Sequence, residues 1–152
     1  MSEVPGVSDA GAFLLPDLDD ETSTEFWAGT ERGELLVQAC GACGAWRMPP
    51  RPMCPACQSV SVRWDETDGT ASIWSFIVPH PPLLPAYAEL APYNAIVVAL
   101  DQDPTIRFVG NLLARPDGAI NEIDTATIEI GEPVRVVFQT VEDVALPRWV
   151  RR

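Results

Sequence analysis

Short stretches of alternating or continuous apolar residues, separated by turn residues, dominate the chain from residue 34 onward. Stretches of this length are typical of β-strands, whereas a surface helix needs a longer segment with a period of about 3.6 residues. The pattern predicts two short strands and then five more after the Asp68-Gly69 turn, at residues 35–38, 60–64, 70–78, 93–100, 106–113, 134–139 and 144–150. The last five strands suffice for a small barrel, so the sequence predicts a mainly β protein.

The first part of the chain has a different pattern. Residues 1–20 mix glycine, proline, serine and acidic residues without periodicity, and we predict that they form a mobile tail. The segment Thr22-Ser-Thr-Glu25 has the spacing of a capping box and is followed by the Phe26-Trp27 pair. These signals predict a short helix within residues 21–33, ended by Gly33 and anchored by the two aromatic side chains.

A proline-rich connection interrupts the predicted barrel at residues 79–92. It contains five prolines and is too long for an ordinary hairpin loop. Long loops in a compact domain usually have a function, and we expect this one to contact a ligand or a partner. The apolar and aromatic side chains suited to such a contact are Pro82, Leu83, Leu84, Tyr87 and Tyr93.

Two cysteine pairs with the same spacing are the most specific signal in the chain. They are Cys40-Gly-Ala-Cys43 and Cys54-Pro-Ala-Cys57, with ten residues between the pairs. Tight turns can direct four thiolates to one ion, and four soft ligands favour zinc over a redox dithiol, two disulfides or iron. Because four thiolates leave no position for water or substrate, we predict a structural zinc site within a ribbon of residues 34–66.

Composition and charge narrow the possible functions. The formal net charge is −12, and all ten basic residues are arginine. The lack of lysine excludes Schiff-base chemistry and a lysine general base from this chain, and the acidic balance disfavours binding to nucleic-acid phosphates. The sequence has neither a secretory signal pattern nor an apolar run of membrane-spanning length, so we expect a cytoplasmic protein without membrane contact.

Few side chains remain for catalysis once the cysteines bind metal. The sole histidine, His80, lies in the proline-rich loop, where we expect it to contact a ligand or partner rather than to act as a base. Arg47 and Arg51 lie beside the cysteines and could bind the phosphates of a nucleotide-bearing cofactor or an acidic partner surface. Scattered solvated arginines are the alternative interpretation. We therefore predict no catalytic residue in this chain.

The order of these features resembles that of a zinc-ribbon/OB-fold family of acyl-CoA-associated proteins, long catalogued as a domain of unknown function. The resemblance covers about residues 22–150. It rests on the cysteine pairs in combination with the Phe26-Trp27 helix, the His80-Pro-Pro82 loop, the Pro92-Tyr93 strand entry, Gly110-Asn-Leu112 and the closing Leu146-Pro-Arg148. It implies a short N-terminal helix, a four-cysteine zinc ribbon and a small five-stranded OB-fold barrel over residues 67–152.

Members of that family are typically accessory subunits or fused domains of acyl-CoA enzymes. These include thiolases, thiolase-like aldolases that act on steroid side chains, and hydratase systems. The resemblance implies a non-catalytic subunit of a lyase or acyltransferase that acts on a carbon–carbon bond. It also implies a thiolase-fold partner in a heterotetramer, and a CoA thioester held together with that partner. Two alternatives are an OB-fold and zinc-ribbon module that binds nucleic acid, and a thioesterase that uses His80.

Overall fold

One α-helix precedes the sheets in the computed structural model, which describes residues 13–152; residues 1–12 of the predicted tail lie outside the described residues. This helix, α1 (Thr24–Glu31), ends before Gly33, which has a φ of +77° as predicted for a helix-terminating glycine. The predicted capping box is wrong. Ser23 is the N-cap and makes no side-chain cap bond; the Asp20 carboxylate instead accepts the Ser23 hydroxyl at 3.3 Å and the Thr22 N–H at 3.0 Å.

The cysteine-bearing segment forms a three-stranded antiparallel sheet. Its strands are β1 (Leu36–Cys40), β2 (Trp46–Arg47) and β3 (Val62–Glu66), in the order β2-β1-β3. The central strand β1 is buried along its whole length, as its apolar sequence predicts. The two-residue strand β2 is too short to give a signal in the sequence, and β3 lies two residues further along than predicted.

The rest of the chain forms a second, six-stranded sheet. Its strands lie in the order β6-β5-β4-β8-β9-β7, and they are β4 (Thr70–Ile77), β5 (Ala95–Leu100), β6 (Arg107–Gly110), β7 (Leu112–Leu113), β8 (Pro133–Val141) and β9 (Val144–Arg151). The predicted strand at residues 106–113 is split into β6 and β7 at Asn111, whose carbonyl accepts the Trp149 N–H at 3.0 Å.

This split explains how the sheet curls. Strand β6 pairs antiparallel with β5, and β7 pairs parallel with β9, so the two edge strands of the sheet are separated by one residue of the chain. The sheet therefore curls so that β6 and β7 approach each other, and the arrangement is that of an OB fold. The predicted mainly β fold with a helix, a four-cysteine ribbon and an OB-fold domain is confirmed. The predicted five-stranded closed barrel is corrected: the described sheet has six strands, because the predicted strand 106–113 is split in two, and its edge strands β6 and β7 are not paired.

Two connections differ from the expected ones. The proline-rich segment contains a short helix, α2 (Pro85–Ala88), which begins with a proline at its first position. Strands β8 and β9 form a long hairpin closed at Glu142, which has a φ of +54°, so the last strand is longer than predicted. A 3₁₀ helix (Thr125–Thr127) lies before β8.

One hydrophobic core joins the helix and both sheets. It contains Phe26 of α1, Val37 of the ribbon, and Ile96 and Trp149 of the OB-fold sheet. Trp149 is fully buried, and a side chain at Gly110 would lie 3.0 Å from its ring, so glycine is needed there. In the part of the chain that is described, no helix has the length and apolar character to cross a lipid bilayer.

Candidate metal centre and binding surfaces

Two turns of the same geometry carry the four cysteines. In the first turn Gly44 N donates to the Cys40 carbonyl at 2.9 Å, and in the second Gln58 N donates to the Cys54 carbonyl at 2.9 Å. The residue after each pair has a positive φ, +77° at Gly44 and +64° at Gln58. The first turn also needs a glycine at position 41, because a Cβ there would lie 2.1 Å from the Ser61 hydroxyl. Local backbone geometry thus points both pairs inward.

The four sulfur atoms have the spacing of a tetrahedral metal site. Cys40 Sγ lies 3.6 Å from Cys57 Sγ, Cys43 Sγ lies 3.7 Å from Cys54 Sγ, and all four lie within 4.8 Å of one another. Four sulfurs bound at about 2.3 Å to a tetrahedral ion would lie about 3.8 Å apart. None of the four is in a disulfide. The four cysteines are therefore positioned to bind one metal ion, as the sequence predicts.

Backbone N–H groups favour the thiolate form of Cys40 and Cys54, whereas the pKa of Cys57 is raised to about 11. The N–H groups of Cys43 and Ala42 donate to Cys40 Sγ at 3.4 Å, and they lower the pKa of Cys40 to about 6. In the second turn, the N–H groups of Cys57 and Ala56 lower the pKa of Cys54 in the same way. Thiolate ligands of this kind suit a structural four-cysteine site.

Arg47 and Arg51, predicted to contact a ligand, are held in a bonded network beside the ribbon. Arg47 is only 6% exposed; its Nε donates to Gln38 Oε1 at 2.6 Å and its Nη2 to the Arg51 carbonyl at 3.2 Å. The Arg51 N–H donates to the same Gln38 oxygen at 2.7 Å, and the Arg51 side chain is exposed. Both arginines thus lie on the ribbon, where Gln38 and Arg51 line a cleft with Trp64.

The predicted contacts of the proline-rich loop lie elsewhere. Tyr87 and Tyr93 are brought together, with their rings 6.0 Å apart, and the Phe13 ring meets Tyr87 edge-on at 5.2 Å. Burial raises the pKa of the Tyr93 hydroxyl. Leu83 is half-buried, whereas the side chains at the tip and rim of the loop, His80, Pro82 and Leu84, are exposed. Tyr87 of the loop and Arg51 of the ribbon line different clefts, so the structure does not bring these two residues into one site.

A groove of about 440 Å³ opens next to Tyr87. Its lining includes Tyr87 and Leu90 of the loop, Gln139 of β8 and Arg148 of β9. Sequence reasoning missed Arg148 and Gln139 as candidate binding residues. The signal was weak, because an arginine in a strand is usually solvated and its burial depends on how the sheet curls.

The outer face of strands β4 to β6 is a second feature that the sequence did not reveal. A β-bulge between Ile73 and Ser75 turns Trp74 outward, where it is 50% exposed. Ile77, further along β4, and Val109 on β6 are 63% and 73% exposed, and the Arg107 guanidinium lies 3.8 Å over the Trp74 ring. We call this surface the β4–β6 outer face. Its apolar side chains are typical of a surface that another protein covers.

Two family models match consecutive parts of the chain. Residues 27–62 match the rubredoxin-like zinc ribbon domain of ChsH2, and residues 64–139 match the C-terminal OB-fold domain of ChsH2. The boundary between the two matches falls in β3, close to the point where the ribbon sheet ends and the OB-fold sheet begins.

Curated relatives carry the names of hydratase subunits. The chain is 31% identical, over 97% of its length, to the 3-oxo-4,17-pregnadiene-20-carboxyl-CoA hydratase alpha subunit of Mycobacterium tuberculosis. It is 37% identical, over 78% of its length, to a probable enoyl-CoA hydratase alpha subunit of Thermomonospora curvata. It spans less than half of these relatives, 43% and 33% of their respective lengths.

A solved structure described as the Ltp2-ChsH2(DUF35) aldolase contains a chain of the same fold. The TM-score is 0.76 at 29% sequence identity, and the match covers 90% of this chain and 98% of that one. The likeness thus extends over the helix, the ribbon and the OB-fold sheet together.

Proposed function

The chain belongs to the ChsH2 family of zinc-ribbon and OB-fold proteins, and from that premise we propose that it is a non-catalytic accessory subunit of an acyl-CoA carbon–carbon bond enzyme. One observation carries the proposal, namely the likeness to the ChsH2 chain of the Ltp2-ChsH2(DUF35) aldolase over 98% of that chain. The proposed partner is a thiolase-fold subunit, and the proposed substrate is a CoA thioester of the steroid side-chain type.

The side chains available in this chain favour a non-catalytic role for the subunit. The whole chain has no lysine, and its four cysteines face one another at a metal site. Its single histidine, His80, is exposed on a loop. Cleavage or formation of a carbon–carbon bond next to a thioester needs a positioned base or nucleophile. The partner would supply these groups, and the zinc proposed for the four cysteines would stabilise the ribbon without entering the reaction.

The β4–β6 outer face is the proposed docking surface for the partner. Trp74 and Val109 offer exposed apolar area at its centre, and aromatic side chains at such positions commonly contribute most of the binding energy of an interface. Ile77 lies at the end of β4 where the proline-rich loop begins, and Leu84 of that loop is 53% exposed. The loop would extend the docking surface beyond the edge of the sheet.

The residues predicted to contact a ligand or a partner fall into two groups in the proposed complex. Exposed loop residues, His80, Pro82 and Leu84, would meet the partner or the entrance to its active site. Arg51, exposed beside the ribbon, would meet an acidic surface or the phosphates of CoA. Arg47 would act through Arg51, because its guanidinium donates to the Arg51 carbonyl and fixes that part of the backbone.

Reconstitution tests the proposal. The zinc-loaded chain is used as bait in a lysate of its own organism, and a co-purifying thiolase-fold protein is then expressed and mixed with the chain. We expect a heterotetramer with two copies of each subunit by native mass spectrometry, since thiolase-fold enzymes are commonly dimers. Cleavage of a β-hydroxyacyl-CoA should need the complex, whereas each subunit alone should be inactive. Turnover by the isolated chain, or the lack of any thiolase-fold partner, would overturn the proposal.

A further inference from the structure

The groove beside Tyr87 has an unusual charge for this protein. The chain has 22 acidic residues against ten basic ones, yet no carboxylate is among the described residues that line the groove. Its single charged lining residue in the described part of the chain is Arg148. The walls are otherwise mostly apolar, with Leu90, Ile120 and Leu146 among them. A single cation thus lies in an apolar cleft of a strongly acidic molecule.

Arg148 is desolvated and bonded to neutral groups. Its Nε donates to Gln139 Oε1 at 3.2 Å, and its Nη1 donates to Asn111 Oδ1. Each of these acceptors is itself fixed, since Gln139 Nε2 donates to the Gly118 carbonyl at 2.9 Å and Asn111 Nδ2 donates to the Asn94 carbonyl. Among the described residues no carboxylate forms an ion pair with Arg148. Burial lowers the pKa of its guanidinium, which is the mark of a cation that lacks a counter-charge.

The remaining donors of Arg148 are held in a defined orientation. A guanidinium has five N–H donors in a planar fork, and the described part of the chain provides no partner for Nη2. Because Gln139 and Asn111 fix the plane of the group, the free edge is preorganised for a planar acceptor. A carboxylate is the planar anion that matches this fork with two parallel hydrogen bonds.

We infer that this groove is a binding site for an amphipathic monocarboxylate, such as a medium-chain aliphatic acid, with the carboxylate on Arg148 and the chain along the apolar wall. The volume of about 440 Å³ lies in the range of small-molecule sites. Tyr87 and Thr140 also line the groove, and both residues carry a hydroxyl group, which is a hydrogen-bond donor. The site is contained in this chain and does not depend on a partner subunit.

Calorimetric titration of the isolated, zinc-loaded chain tests the inference with octanoate as probe and 1-octanol as its neutral counterpart. Arg148→Met removes the cation but retains a side chain of similar length. Arg135→Met is the matched control, because Arg135 is exposed on the neighbouring strand β8 and does not line the groove. Ile120→Trp fills the apolar part and leaves Arg148 in place. Circular dichroism and zinc content establish which variants fold.

Octanoate should bind the wild-type chain at least about tenfold more tightly than octanol, and Arg148→Met should abolish that preference. Arg135→Met should bind as the wild type does, and Ile120→Trp should weaken both probes. Equal affinity for acid and alcohol in the wild type would overturn the inference, as would a preference that survives Arg148→Met. If Arg148→Met does not fold, the Ile120→Trp variant decides. The inference would then be overturned if Ile120→Trp binds octanoate as tightly as the wild-type chain does. These results are independent of whether the chain assembles with a thiolase-fold enzyme.

Discussion

At the scale of single residues, the position that follows each cysteine pair has the same backbone conformation in both turns but a different residue. Gly44 occupies it in the first turn, with a φ of +77°, and Gln58 in the second, with a φ of +64°. The left-handed region suits glycine, whereas a side chain with a Cβ is strained there. The second turn therefore carries local strain that the first turn avoids.

Gln58→Gly should stabilise the zinc-loaded chain by about 1 kcal/mol, because the relief of left-handed strain exceeds the entropy that glycine loses on folding. Urea unfolding followed by tryptophan fluorescence measures the change. Gly44→Ala is the reciprocal variant and should destabilise by a similar amount. A destabilised Gln58→Gly would contradict the account of this turn.

Asn94 is a second residue whose role depends on its surroundings. It is fully buried; its Oδ1 accepts the Leu112 N–H at 2.7 Å, and its Nδ2 donates to the Leu112 carbonyl at 3.0 Å. Asn94→Ala should destabilise the chain by about 2–3 kcal/mol, since it leaves buried backbone groups unpaired. The exposed Asn121 gives the matched control, and Asn121→Ala should change the unfolding free energy by less than about 0.5 kcal/mol. Equal effects of the two substitutions would refute this role.

The metal site could be predicted from the sequence residue by residue, because a turn of fixed length aims both thiolates of a pair. The sequence could not predict the burial of Asn111, Asn94 and Arg148. Each is polar and lies where a strand pattern predicts a solvated side chain, and its burial follows from contacts between segments distant in sequence.

At the scale of elements, the ribbon and the OB-fold sheet are not independent. Leu35 and Val37 of the ribbon pack in the same core as Ile96 and Trp149, with Phe26 of α1 stacked on Phe108 at 6.1 Å. A disturbance of the ribbon should therefore be transmitted to the OB-fold sheet.

Removal of a thiolate tests this coupling. Cys54→Ser should lower the bound zinc from about one ion per chain to nearly none, and should destabilise the whole chain by more than about 3 kcal/mol in a single transition. Ala56→Ser introduces a hydroxyl at an exposed position of the same turn and should retain zinc. Zinc is measured by mass spectrometry and unfolding by calorimetry. Two separate transitions, with the OB-fold sheet melting as in the wild type, would contradict a shared core.

Most strands could be predicted from short apolar stretches, as in β5, a continuous apolar run in which Ile96, Val98 and Leu100 face the core. The break between β6 and β7 could not be predicted from the pattern. It is required by the parallel pairing of β7 with β9, which is a long-range contact. Strand β2 has only two residues, and its pairing with β1 follows from the metal turn instead of from any periodicity of its own.

At the scale of the whole molecule, three large and well-exposed apolar side chains share the β4–β6 outer face. Trp74, Ile77 and Val109 on that face are each at least half exposed. A net charge of −12 opposes association between copies of the chain, but it does not compensate for leaving this apolar surface in water. The proposed partner would cover that surface.

The most direct test of the accessory-subunit account is the mass of the complex formed with a thiolase-fold partner, measured by light scattering for Val109→Asp and for Val60→Asp. Both valines are similarly exposed, 73% and 76%, but Val60 lies on the ribbon away from the outer face. The account predicts that Val60→Asp assembles as the wild type does and that Val109→Asp remains separate from the partner, because a carboxylate would be buried unpaired in the interface. Full assembly of Val109→Asp, or no complex with the wild-type chain, would contradict it.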